Sequence, residues 1–176
     1  MKKLAMALLV VTTIASCATN KFMQHKAEYT TIQDGDTKIL KGYINRSIIE
    51  NDGSFTWFKE HMYPGATNAN AIKMFAENKN KFTMLVFGGT WCGDTKNLLP
   101  IFYSLVDKSG YPDKNITLVG VDRSKKANDD ITVKYGITNV PTFIVLQNGK
   151  EVGRIVEYGK YNAIDKELGE IVAALK

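Results

Sequence analysis

The segment 82–95, FTMLVFGGTWCGDT, constrains the fold of this chain more than any other stretch. An apolar run with the length of a buried strand ends in Gly88 and Gly89, and a Trp91-Cys92 pair follows. Beyond it, Leu98, Phe102, Leu105 and Val106 recur at helical spacing. The pattern predicts a strand, a glycine turn and a helix, with one thiol at the junction. A thiol in that place lies over the unpaired N–H groups of the helix's first turn, which favour the thiolate, the reactive form. The alternative is a small, inert core residue, as most lone cysteines are.

The neighbours of Cys92 carry a family likeness. Trp91-Cys92-Gly93 resembles the start of the Trp-Cys-Gly-x-Cys motif of the thioredoxin family, and Pro100 sits where that family places the proline of its active-site helix. Lys134-Tyr135-Gly136-Ile137 and Val140-Pro141-Thr142 resemble the segment leading into the family's cis-proline, and Asn148-Gly149-Lys150 resembles the turn after it. These pieces occur in the family's order over residues 66–176. The resemblance implies an α/β, thioredoxin-like fold, a central mixed β-sheet flanked by helices. It also implies a cis Val140–Pro141 bond beside Cys92. Trp91, Gly93, Asp94, Val140 and Pro141 become the expected substrate-binding positions, with the Val140 backbone pairing an extended substrate segment. Cys92 and Thr95 become the expected catalytic pair.

One departure outweighs the agreements. Thr95 stands where the family has its second cysteine. In the two-cysteine motif the first thiolate attacks a substrate disulfide and the second resolves the mixed disulfide. Here the attacking sulfur has no such partner. By the same resemblance, Val86 replaces a buried strand aspartate and Leu118 a nearby buried lysine, two groups thought to assist resolution. The Thr95 hydroxyl, one helical turn beyond Cys92, is expected to hydrogen-bond the thiolate, while a carboxylate at Asp94 disfavours a second negative charge.

The chain begins with Met1, Lys2 and Lys3 and an apolar run over 4–14, too short for a membrane span and in keeping with a secretory signal. Ile14-Ala15-Ser16-Cys17 resembles the bacterial lipobox, in which the cysteine is acylated and becomes the first residue. That resemblance makes 1–17 a lipoprotein signal peptide and Cys17 the lipidation site, places the protein in the bacterial cell envelope at a membrane, and leaves Cys92 as the one thiol. Residues 18–27 then read as a tether, 28–65 as an N-terminal extension and 66–176 as the thioredoxin-like domain.

Within the extension, strand-like runs at 29–32 and 37–43 flank Asp34-Gly35-Asp36, a hairpin signal. Residues 44–49 continue the second strand on this reading. A turn at Asn51-Asp52-Gly53-Ser54 leads into a short helix through Trp57, Phe58 and Met62. Phe55, Trp57, Phe58 and Tyr63 are expected to anchor the extension to the domain's edge, the alternative being an aromatic partner surface. Further on, helices are expected over 68–79, 91–109 and 125–135, and strands over 116–121, 142–146 and 151–156. Asp122 and Arg123 read as a solvated loop charge pair. A last helix carries Ile164, Leu168, Ile171, Val172 and Leu175 on one face.

Of the 176 residues, 44% are apolar, enough for one core, and the formal charge is +5 with no long basic run. A nucleic-acid partner therefore has little support. Two cysteines and two histidines, His25 and His61, form no metal-ligand pattern, and both histidines read as surface residues. No metal or other cofactor is expected. The leading expectation is a monothiol-type thiol–disulfide exchange or redox-sensing protein, partnered by a protein or small-molecule thiol or disulfide. The alternative is a non-catalytic peptide- or protein-binding module on the same scaffold.

Overall fold

The computed structural model describes residues 26–62 and 67–176. The expected signal and Cys17, most of the tether, His25, Tyr63 and the Pro64-Gly65 boundary lie outside them. The hairpin forms as read: β1 (Glu28–Asp34) and β2 (Thr37–Ile44) pair antiparallel, with Gly35 at φ +57° in the two-residue turn. The second strand does not continue past Ile44. The Asn45 side chain accepts the Ile48 N–H at 3.1 Å and caps α1 (Arg46–Glu50), because a short polar side chain competes with the ladder for backbone donors. Asp52 does the same for Ser54 and opens a 3₁₀ turn over Gly53–Phe55, which leads into α2 (Trp57–Glu60). Met62 falls just past that helix.

Six strands make one mixed sheet among the described residues, in the order β1-β2-β4-β3-β5-β6. The central strand, β3 (Thr83–Gly88), is buried throughout. It runs parallel to β4 (Ile116–Gly120) and antiparallel to β5 (Thr142–Gln147). Strand β6 (Lys150–Val156) follows a turn whose two residues, Asn148 and Gly149, both have positive φ. The extension does not merely rest against the domain's edge. It forms that edge, since β2 pairs antiparallel with β4 from Gly42↔Gly120 to Ile44↔Leu118. A Cβ at Gly120 would lie 2.3 Å from the Leu40 carbonyl oxygen, so glycine is what lets the two strands approach.

Alternation along β3 sends Met84 and Val86 to one face and Leu85 and Phe87 to the other. The first face packs under α3 (Ala69–Asn78), α4 (Gly93–Ser109) and α6 (Ile164–Ala173), through Phe75, Phe102, Leu168 and Val172 among others. Phe55, Trp57 and Phe58 from the extension are buried in the same core, so they are structural anchors and not a partner surface. In α3 the fully buried residues are Ala71 and Phe75, while Ile72 and Ala76 are half-buried. Ala71 is inside because α6 crosses it at Gly169, where a Cβ would sit 2.6 Å from the Ala71 Cα. Gly169→Ala is accordingly expected to destabilise the protein by about 1–3 kcal/mol through overpacking, despite a helix-propensity gain of about 1 kcal/mol. A denaturant melt showing a gain in stability would refute that crossing.

The expected helix over 125–135 shrinks to α5 (Ile131–Lys134). The preceding residues turn tightly instead: the Asp122 carboxylate accepts the N–H groups of Ser124 and Lys126, and Lys125 takes φ +58°. Helix α4 ends where Gly110 adopts the left-handed conformation, just ahead of Tyr111 and Pro112.

Candidate functional site

Cys92 is the N-cap residue of α4, with extended backbone at φ −86° and ψ 128°. Its N–H donates to the Gly89 carbonyl at 2.8 Å and its carbonyl accepts the Lys96 N–H at 3.1 Å, which closes the turn and starts the helix. The side chain is half-buried, and Sγ donates to the Val140 carbonyl oxygen at 3.2 Å. The Val140–Pro141 bond is cis. A strand end, a helix start and a loop from fifty residues later thus meet at one sulfur. Gly93, exposed, and Asp94, half-buried, form the first turn of α4 beside it.

The two glycines before the motif have steric reasons. A Cβ at Gly89 would lie 2.7 Å from the Trp91 indole, and one at Gly88 would lie 3.0 Å from the Thr95 methyl. Trp91 is half-buried against the second core; its indole N–H donates to the Val121 carbonyl at 2.9 Å. The structure directs the Thr95 hydroxyl away from its expected task. Thr95 is buried, and Oγ1 accepts the Gly89 N–H at 3.2 Å, bracing the turn and not the sulfur. Beneath the turn, Val86 and Leu118 are opposed in the β3/β4 register and both buried, so the floor at these positions is apolar.

Asp122 and Arg123 do not form a solvated pair with each other. Asp122 binds Lys41 of β2 at 2.8 Å, and Arg123 binds Asp34 at the hairpin's end while its guanidinium stands 5.4 Å from the centre of the Trp91 ring. Burial works against the Asp122 charge, but the Lys41 ammonium and the N–H groups of Lys126 and Ser124 outweigh it and hold the carboxyl below its ordinary 3.8. A depressed carboxyl contributes stability above that ordinary value and loses it as pH falls through the lower folded value. The Ser124 and Lys126 amide resonances should therefore titrate below pH of about 4 as the loop lets go of β2. Flat shifts down to the acid limit of the fold would contradict this. His61 is also placed otherwise than expected: it is half-buried, with Nδ1 2.9 Å from the Lys96 carbonyl on α4.

Sequence reasoning missed Thr90. It lies between Gly89 and Trp91, is almost fully buried, and bonds β2 through its hydroxyl. Nothing near it in the chain signals this, because its partners are fifty residues earlier.

The thioredoxin family model matches residues 65–170. Over 97 residues the chain is 26% identical to Thioredoxin H2 of Arabidopsis thaliana, covering 55% of this chain and 68% of that protein. It is 28% identical over 81 residues to the TPR repeat-containing thioredoxin TDX of the same plant, 46% of this chain but only 20% of that larger protein. A solved protein of unknown function from Pseudomonas aeruginosa superposes with a TM-score of 0.52 at 17% identity, over 74% of this chain and 90% of that one, a likeness of fold alone. With its matched segment carrying the strand, turn, helix and cis-proline loop just described, the chain belongs to the thioredoxin family.

Proposed function

We propose that this protein performs thiol–disulfide exchange through Cys92 acting as a single nucleophile, in the service of disulfide transfer or redox sensing. The observation that carries the reading is the placement of half-buried Cys92 at the head of α4, its sulfur 3.2 Å from the Val140 carbonyl beside the cis bond. In the exchange step the Cys92 thiolate attacks one sulfur of a disulfide. A new S–S bond forms, the old one breaks, and the electron pair leaves on the second sulfur as a thiolate. The chain has no further thiol except Cys17, so the mixed disulfide persists until an external protein or small-molecule thiol attacks it. We also propose that Cys17 is lipidated and becomes the first residue once the signal ahead of it is removed, which holds the domain at a membrane of the bacterial envelope through the 18–27 tether.

Acid-quenched cells expressing wild type or Cys92→Ser test the first claim on non-reducing gels. Wild type should give high-molecular-weight adducts that reduction collapses, and the serine variant should give none. Identical adduct patterns would remove the exchange role and leave the scaffold as a peptide-binding module. For the anchor, Cys17→Ser should move the protein from the membrane fraction to the soluble one; an unchanged distribution would remove lipidation.

A further inference from the structure

Thr90 joins the turn that carries Cys92 to the N-terminal hairpin. It is 4% exposed, and its hydroxyl is used in both directions: Oγ1 donates to the Lys38 carbonyl at 2.9 Å and accepts the Leu40 N–H at 3.2 Å. That is the pairing a neighbouring strand would offer. β2 is in register with β4 only from Gly42 to Ile44, and β4 ends at Gly120. The Lys38–Leu40 backbone runs past the end of β4, and the Thr90 side chain takes the place of the missing strand. Leaving those two backbone groups unpaired inside the fold is costly, so the hydroxyl is a strong constraint on where the turn sits.

A second chain of contacts ends on the next residue. Asp34, at the hairpin's turn, binds Arg123, whose guanidinium lies over the Trp91 ring, while the Trp91 indole N–H is held by Val121. The loop that presents Arg123 and Val121 is itself tied to the hairpin: Lys41 to Asp122, Tyr43 to Asp129, and the Asn128 amide to the Lys41 carbonyl. The family match begins at residue 65, so the whole hairpin lies outside it. Two adjacent residues of the Cys92 turn are thus located by a part of the chain that the family model does not include.

We infer that Thr90 is a positioning residue for Cys92, through which the N-terminal hairpin sets the alignment of the sulfur and Trp91 with an extended disulfide-bearing peptide lying along Val140. The inference rests on the exchange reading above and names peptides, rather than small disulfides, as the substrates that need this alignment. A small disulfide meets the sulfur from many directions; a peptide seated along Val140 has one approach. Only the second is sensitive to a shifted turn.

The test compares wild type, Thr90→Val, Thr90→Ser and a remote control, Val172→Ala in α6. Two rate constants for mixed-disulfide formation at Cys92 are measured by mass spectrometry well below every melting temperature. One uses hydroxyethyl disulfide, the other an extended peptide carrying an intermolecular cystine. Thr90→Val keeps the shape but removes both hydrogen bonds, and should lower the peptide-to-small-disulfide rate ratio by about tenfold. Thr90→Ser, which keeps the hydroxyl, should hold the wild-type ratio, as should Val172→Ala however much its melting temperature falls. A wild-type ratio in Thr90→Val, or an equal drop in Val172→Ala, would overturn the inference. If wild type reacts with neither disulfide, the exchange reading fails and the substrate part of this inference with it. The positioning part is then decided by NMR: faster hydrogen exchange of the Trp91 indole in Thr90→Val but not in Thr90→Ser supports it, and unchanged exchange refutes it.

Discussion

On the single-thiol mechanism proposed above, Thr95→Cys should supply the resolving thiol and raise insulin reduction by dithiothreitol by about tenfold or more. The introduced thiol would stand one helical turn after Cys92, on the same α4. Once Cys92 has captured a substrate sulfur, the new thiolate attacks the Cys92 sulfur and expels the substrate as a thiol, and dithiothreitol reduces the resulting pair. Two features limit the gain. Thr95 Oγ1 accepts the Gly89 N–H, and sulfur is a weaker acceptor, so the turn loses about 1 kcal/mol of support. Val86 and Leu118 are buried and apolar, so neither position offers a charged group to assist proton transfer in the variant. Insulin reduction by wild type already near that of the variant would show that a second cysteine is not what the natural protein lacks.

Phe58→Ala should cost about 3–5 kcal/mol in a denaturant melt, the range for truncating a buried aromatic ring. Phe58 is fully buried and packs edge-on against Trp57 at 5.8 Å and Tyr103 at 5.6 Å between ring centres. Arg46, held by Glu50 and Asp107, places its guanidinium over the Tyr103 ring at 5.0 Å and the Phe58 ring at 6.0 Å. Phe58 comes from the extension and Tyr103 from α4, so the variant also tests whether the two regions are one cooperative unit. A single transition at lower denaturant is expected. Loss of the extension's signals alone, with the rest of the melt unmoved, would mean that it folds separately.

The strand, turn and helix around Cys92 were legible because each depends on near neighbours. A run of apolar residues, two glycines and a 3–4 spacing are local, and the chain reports them directly. The Gly35 and Gly149 turns were legible for the same reason, since a positive φ selects glycine wherever the rest of the molecule lies. The misplaced elements share a different cause. Asn45 and Asp122 bend the backbone with their own side chains, a competition that neither the strand reading at 44–49 nor the polar helix reading at 125–135 registers.

What the sequence by itself determined is the chemistry available: one cysteine in the domain, no resolving partner at Thr95, and a proline segment of the family's kind at Val140-Pro141. What only the tertiary structure decided is who holds that chemistry in place. The Thr95 hydroxyl went to the Gly89 N–H, and Arg123 went to Trp91 and Asp34 instead of to Asp122. Thr90 tied the turn to a hairpin fifty residues away. Hydrogen bonds and close contacts are settled by which groups the sheet brings within about 3 Å of one another. That juxtaposition follows from strand order and register, which no short window of sequence contains.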